Sequence, residues 1–242
     1  MAPNSESSST GAKEQAGSLE IGEAAAAVGF VIALQLSLAI VCTASGWELW
    51  LLPAWAWVAT AVPEAILLGV FVVRGQIKEG ELPGQTPRRR KEAILLVGLI
   101  SLANALALMA LLGELLSAQV RTGTELLFEA GVIWTTNVIA FGLLYWELDR
   151  GGPSTRAVYE GPIAYRGADF QFPQMENPDL AEKTWRPLLP DYMYIAFTTA
   201  TAFSPTDAMP LTRRAKAVMT AETALSAITV LLVAARAVNI LG

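Results

Sequence analysis

Five long apolar runs constrain this chain more than any other feature. They extend from about Ala27 to Ser45, Leu51 to Val73, Ala93 to Ser117, Leu126 to Tyr145 and Ala215 to Leu241. Each holds the roughly 20 residues needed to cross a hydrocarbon core of about 30 Å. Backbone polar groups in lipid must be satisfied within the segment, so runs of this length are read as helices. The alternation expected of barrel strands is missing. With 53% hydrophobic and 16% charged residues, the composition is that of an integral membrane protein. The expectation is an all-α, polytopic helical membrane protein with five transmembrane helices.

The first 20 or so residues are polar and Ser-rich, without the basic start, short apolar centre and cleavage site of a signal peptide. The reading divides the chain into a disordered polar tail over 1–25, a three-helix membrane region over 26–125, and a pore-like module over 126–242.

Chemistry is limited by what is absent. There is no histidine, and Cys42 is the one cysteine. That removes the commonest general base, the commonest transition-metal ligand and any disulfide within the chain. No Gly-rich phosphate loop, nucleophile elbow or internal repeat is visible. No enzyme activity, cofactor, metal or nucleic-acid partner is expected. The partners expected are the lipid bilayer, further copies of the same chain and a monovalent cation.

Tryptophans 47, 50, 55 and 57 surround the turn between the first two spans, as an interfacial anchor belt would. Inside the spans stand Gln35, Glu64, Asn104, Glu114, Asn137, Glu222, Arg236 and Asn239. Polar groups at such depth face the bundle interior, a partner or water. Glu64 follows Pro63 near the middle of its span. Two readings stay open for it: an ion or proton site, or a carboxyl kept protonated or paired with a neighbouring span. Asn104 and Asn137 read as interhelical hydrogen-bonding groups, and Glu114 and Arg236 as snorkelling side chains. Glu222 belongs to the same intramembrane polar set.

A connection of about 40 residues follows the fourth run, rich in Pro, Gly and charge, and reads as an extramembrane loop with packed order. Then comes "DYMYIAFTTATAFSPTDAMPLTRRAK". Thirteen residues from Asp191 to Phe203 make a helix of only about 20 Å, too short to span. Pro205 ends it by fixing its own φ and pushing Ser204 toward extended geometry. A half-helix, a break, a polar return and a full helix describe a re-entrant segment before the last span.

"TTATAFSPTDAMPLT" resembles the pore loop of tetrameric potassium channels, T-x-T-T-x-G-Y-G-D-x-x-P-x-T, with Thr199, Thr201, Asp207, Pro210 and Thr212 in register. Across roughly 126–241 the order of elements is similar too. The resemblance implies a homo-oligomer of about four copies in which Thr199, Thr201, Ala202, Phe203, Ser204, Pro205, Thr206 and Asp207 line a filter-like path. The departures matter: Ser204 and Thr206 stand where the filter has glycines, Pro205 lies between them, and Ala202 replaces the innermost threonine. Without glycine the alternating backbone handedness of a carbonyl ladder is lost. The expectation is a weakly selective cation pathway, not a potassium-selective one. Asp207 could concentrate cations or serve as a cap or turn carboxylate. "ADFQFP" and the segment from Asp191 onward also resemble a bacterial family of inner-membrane proteins of unknown function, with F-T-I-G-M-T-F-x-V-S-D and an R-rich turn. This resemblance implies a multi-pass protein of the bacterial inner membrane but no activity. Two other classes stay in view: a non-conducting scaffold that keeps the pore fold, and a transporter, for which inverted repeats are not visible.

Charge sets an orientation. With five spans and a re-entrant loop, fifteen of the 17 Lys and Arg fall on one side, leaving Arg121 and Arg236 for the other. The positive-inside rule places the richer side, with the mouth of the loop, in the cytoplasm.

Overall fold

The computed structural model describes residues 5–47, 55–76, 87–116, 123–158, 167–177, 179, 181, 185–205 and 207–241. Its long helices are α1 (Ser5–Ser45), α2 (Trp55–Gln76), α3 (Pro87–Leu116), α4 (Gly123–Leu148) and α8 (Arg213–Leu241). Between α4 and α8 come a 3-10 turn (Asp149–Gly151), α5 (Pro153–Val158), β1 (Phe170–Gln171), α6 (Pro173–Glu176), α7 (Leu189–Ala202) and β2 (Met209–Pro210). Four stretches are long and apolar enough to cross a membrane: Gly22–Ser45, Lys91–Gly113, Gly123–Gly151 and Arg213–Ala235. Helical backbone already begins at Ser5, within the segment expected to be disordered; its Ala, Glu, Gln and Lys are good helix formers.

The bundle is organised around α4. It packs against α1, α3, α7 and α8, and 72% of its apolar span is buried, against 22–50% for the other three. Directions follow from the contacts. Ala24 and Val28 of α1, and Ala93 and Val97 of α3, lie beside Trp146 and Glu147 near the end of α4. Further along, Cys42 of α1 meets Glu129, and Asn104 of α3 meets Asn137. Both helices therefore run antiparallel to α4. On α8, Glu222 meets Tyr145 and Ser226 meets Asn137, so α8 is antiparallel as well. Glu64 of α2 meets Gln35 of α1, and Leu68 shares the apolar pocket of Ala24 and Trp146, so α2 runs parallel to α4.

Helix α7 runs back along α4. Tyr192 bonds Asp149, Met193 sits against Gly142, and the Phe197 ring meets Trp134 edge-on at 5.8 Å. Gly142 makes this approach feasible, because a Cβ there would lie 2.5 Å from Met193 Sδ. The start of α7 is set by Asp191, whose Oδ2 accepts the Leu188 N–H at 2.7 Å, with Pro190 in the first turn where its missing donor costs nothing. Burial pushes the Asp191 carboxyl up from its ordinary value. The helix ends at Phe203, which adopts the left-handed conformation (φ 55°, ψ 27°) and sends its N–H to Thr199 O at 3.0 Å. Pro205 cannot continue the helix. The chain then returns to the end of α4, where β2 pairs antiparallel with β1, Phe170 opposite Pro210 and Gln171 opposite Met209.

The connection between α4 and α7 closes this end of the bundle with aromatic rings. Tyr145, Phe170, Tyr192, Phe172 and Trp185 meet in succession, mostly edge-on, at centroid separations of 5.1, 6.3, 5.5 and 5.7 Å. Phe170 and Tyr192 are fully buried. Edge-to-face contacts of this kind contribute about 0.5–1.5 kcal/mol each beyond burial.

Candidate functional site

Three polar regions come together around α4. The first is a clamp at its C-terminal end. Arg156 donates from Nη1 to the Trp146 and Asp149 carbonyls at 2.7 and 2.8 Å, satisfying acceptors that the helix end leaves open. Its guanidinium lies 5.0 Å from the Tyr192 ring centre. Asp149 Oδ1 accepts the Asp169 N–H at 2.7 Å, and Oδ2 accepts the Tyr192 hydroxyl at 2.6 Å. Burial holds the Tyr192 phenol well above its ordinary value, so it stays a donor. Asp169 in turn accepts the Arg214 fork, Nε to Oδ1 at 2.7 Å and Nη2 to Oδ2 at 2.5 Å, together with the Thr212 hydroxyl. Thr212 also accepts the Ala215 N–H at 3.2 Å, which caps the start of α8. Both aspartates are fully buried yet bonded on both oxygens, so this region serves to lock the connection, α7 and α8 onto α4.

The second region is a polar line inside the bundle. Tyr145 donates to Glu222 Oε2. Asn137 Nδ2 donates to Ser226 Oγ at 3.3 Å, and its Oδ1 accepts Asn104 Nδ2 at 3.1 Å. Gln35 Nε2 donates to Glu64 Oε1 at 3.2 Å. Cys42 Sγ donates to Glu129 Oε1 at 3.9 Å. Glu64 and Glu222 are fully buried, and each accepts a hydrogen bond from a neutral group, an amide and a phenol. Among the described residues, Glu64 Oε2, Glu222 Oε1, Gln35 Oε1 and Thr136 Oγ1 are buried with no hydrogen-bond partner. Gln35, Thr60, Asn104 and Thr136 are the polar side chains at a small, mostly apolar cleft of about 10 Å³ between α1, α2, α3 and α4, room for about one water.

The third region is the hairpin after α7. Thr199 is buried, and its hydroxyl has no partner among the described residues. Thr201 is exposed and bonds back to Phe197 O at 2.7 Å within its own helix. Ala202, Phe203, Ser204 and Pro205 are exposed on the single chain. Asp207, also exposed, accepts the Tyr194 hydroxyl at 2.6 Å, which ties the returning strand to α7 and raises the Tyr194 phenol above its ordinary value. Thr206 lies outside the described residues, as do the side chains of Glu114, Arg236, Asn239, Trp50 and Trp57.

The intramembrane residues singled out from the sequence are thus drawn into one interior: Asn104 and Asn137 bond directly, Glu222 is one turn from Ser226, and Glu64 reaches the cleft through Gln35. The hairpin residues form their hydrogen bonds within α7 and its return. Sequence reasoning missed Glu125, Glu129, Glu147, Asp149 and Asp169, all buried. A signal was present for part of this set, because Glu125 with Glu129 and Tyr145 with Asp149 are each spaced by four in an apolar helix and so share its faces. Among the described residues no group of three or more His, Cys, Asp or Glu is placed to hold a metal ion. No protein-family model, curated protein or solved structure matches the chain.

Proposed function

We propose that the protein is a five-span, channel-like protein of the bacterial inner membrane, in which α7 dips into the bilayer and returns, and a homo-oligomer assembles the hairpins into a weakly selective cation path. The observation that carries this reading is the course of the chain around α7. Its 14 residues reach only about 21 Å, less than a hydrocarbon core. It starts beside Asp149, passes Trp134, and the chain is back at Asp169 by Leu211, whose N–H bonds the Asp169 carbonyl at 2.8 Å. If α4 crosses the membrane, the entry and exit of α7 lie on one side. The 22 residues of α2 reach about 33 Å, enough for a fifth crossing. The helix directions then put the starts of α1, α3 and α8 and the ends of α2 and α4 on one face, next to which the sequence carries most of its Lys and Arg, which supports a cytoplasmic mouth.

The exposed Thr201, Ser204 and Asp207 offer hydroxyl and carboxylate oxygens to a hydrated monovalent cation. Among the described residues of the hairpin Phe203 alone is left-handed, which does not make a ladder of inward carbonyls. Potassium and sodium are therefore expected to permeate within about a hundredfold of each other, roughly 2.7 kcal/mol.

One observation favours a second reading, a non-conducting scaffold: Asp207 is already engaged by Tyr194. Flux through liposomes containing the purified protein separates the two. The channel reading predicts that Asp207→Asn changes cation flux at equal protein amount. A scaffold would give no flux above empty liposomes, and the variant would only lower the melting temperature.

A further inference from the structure

The interior polar line lies apart from the hairpin, and the proposed cation path makes no use of it. Along α4, Glu129, Asn137 and Tyr145 are eight residues apart, so their levels are separated by about 12 Å and cover most of a hydrocarbon core. At each level a partner reaches in from another helix: Cys42 to Glu129, Asn104 and Ser226 to Asn137, and Glu222 to Tyr145. Beside the middle level lies the small α1–α4 cleft, where Gln35 Oε1 and Thr136 Oγ1 are buried without protein partners. Gln35 is 5% exposed and Thr136 2%, so the vacant hydrogen-bonding capacity faces the bundle interior rather than bulk solvent. Unsatisfied polar atoms at such a cleft are the setting in which internal water is retained.

We propose that each chain carries protons through its own interior, with Glu222 and Glu64 as the protonatable stations and single waters held at the unpartnered buried oxygens of Glu222, Glu64, Gln35 and Thr136 as the link between them. A carboxyl can carry one exchangeable proton on either oxygen, and the amide or phenol bond on the other oxygen fixes its position in the bundle. Each keeps one oxygen free of protein partners, Oε1 of Glu222 and Oε2 of Glu64, where a water can bond. Transfer breaks one O–H bond on the carboxyl and forms one on water, and the reverse step reprotonates the acid from the other side. No oxidant or second substrate is required. Asn104, Asn137 and Ser226 orient the waters; an amide does not itself pass the proton. The titratable neighbour facing Glu222 is Tyr145 on α4, with Arg214 and Lys216 farther down its own helix, and Cys42 and Glu129 form a separate pair at the other end.

The test uses the full chain in liposomes with a trapped pH dye, under a potassium diffusion potential set by valinomycin. Wild type is expected to pass protons above the rate of empty liposomes. Glu222→Gln and Glu64→Gln should each lower that rate on the order of a hundredfold, Thr136→Val should lower it by removing a hydroxyl that holds water, and Thr155→Ala, exposed in the connection and outside both paths, should leave it unchanged. Variants are first shown to be monodisperse; should either glutamine variant fail to fold, Glu222→Asp and Thr136→Val take its place, with reduced flux expected from both. A wild-type rate equal to that of empty liposomes overturns the proposal. So does wild-type flux in the folded glutamine, aspartate or valine variants, or proton flux lost equally in Thr155→Ala. Sodium and potassium flux measured on the same vesicles reports on the hairpin reading separately, so either reading can fail without the other.

Discussion

Replacing Gly142 by alanine tests the seat of α7. A Cβ at this position meets Met193 Sδ at 2.5 Å, Cε at 3.3 Å and the Met193 Cα at 3.3 Å. The thioether can rotate away, since methionine has three rotatable bonds. The backbone Cα cannot, so α7 must move outward by a few tenths of an ångström. Overpacking of this kind costs about 1–3 kcal/mol, against which alanine in place of glycine favours the α4 helix by about 1 kcal/mol. The net expectation for Gly142→Ala is a loss of up to about 2 kcal/mol, and for Gly142→Val a larger one. In a chain of this size each kcal/mol corresponds to about 2–4 °C, so the melting temperature in detergent, followed by tryptophan fluorescence, should fall by up to about 8 °C in Gly142→Ala and further in Gly142→Val. The loss should shrink in a Met193→Ala background, because the closest clash is gone. A Gly142→Val protein that melts at or above wild type refutes the close seating of α7 on α4, as does an equal loss with and without Met193.

Three further outcomes follow from the clamp, the hairpin and the interior. Arg214→Ala leaves the buried Asp169 without its forked partner and should cost about 2–4 kcal/mol in detergent melts, with Arg214→Lys recovering only part because a single ammonium cannot reproduce two parallel bonds; full recovery by lysine would contradict the fork. The Tyr194 phenol, raised by its bond to Asp207, should titrate above its ordinary 10.0 by absorbance near 295 nm. Its contribution to holding the hairpin is complete below pH 10.0 and is lost as pH rises through the higher folded value; Asp207→Asn should bring the titration back toward 10.0, and an unchanged titration would deny the bond. Asn137→Leu removes bonds to both Asn104 and Ser226 and should lower stability by about 1–2 kcal/mol, near the upper end for such bonds within membranes; a neutral result would mean the three side chains are not linked.

What the sequence discloses about this fold is what local rules govern. The end of α7 is legible because Pro205 forbids continuation, and the expected helix from Asp191 to Phe203 is close to the observed Leu189–Ala202. The apolar runs are legible because length and hydropathy decide crossing. The clamp is not, because Asp169 meets Arg214 across 45 residues and Asp149 meets Tyr192 across 43, separations at which no periodicity reports contact. The 41-residue extent of α1 is likewise hidden, since its polar first half has no apolar pattern to read. For the candidate site, Glu64, Asn104, Asn137 and Glu222 stand out as polar residues in apolar runs, but their partners do not. Glu125, Glu129 and Asp149 escaped because they fall near the ends of α4, where a carboxylate is ordinarily solvated; only the packing of α1, α7 and the connection over those ends buries them.

The central claim is that α7 enters and leaves on one side of the membrane, and cysteine accessibility tests it most directly. In a Cys42→Ser background, Thr155→Cys places a thiol before α7 and Leu211→Cys places one after it; both positions are exposed on the single chain. A membrane-impermeant maleimide is applied to intact cells and to inverted vesicles. The account predicts that both positions label from the same side, the cytoplasmic one, and so only in inverted vesicles. Labelling of Thr155→Cys from one side and Leu211→Cys from the other would make α7 a crossing and contradict the account.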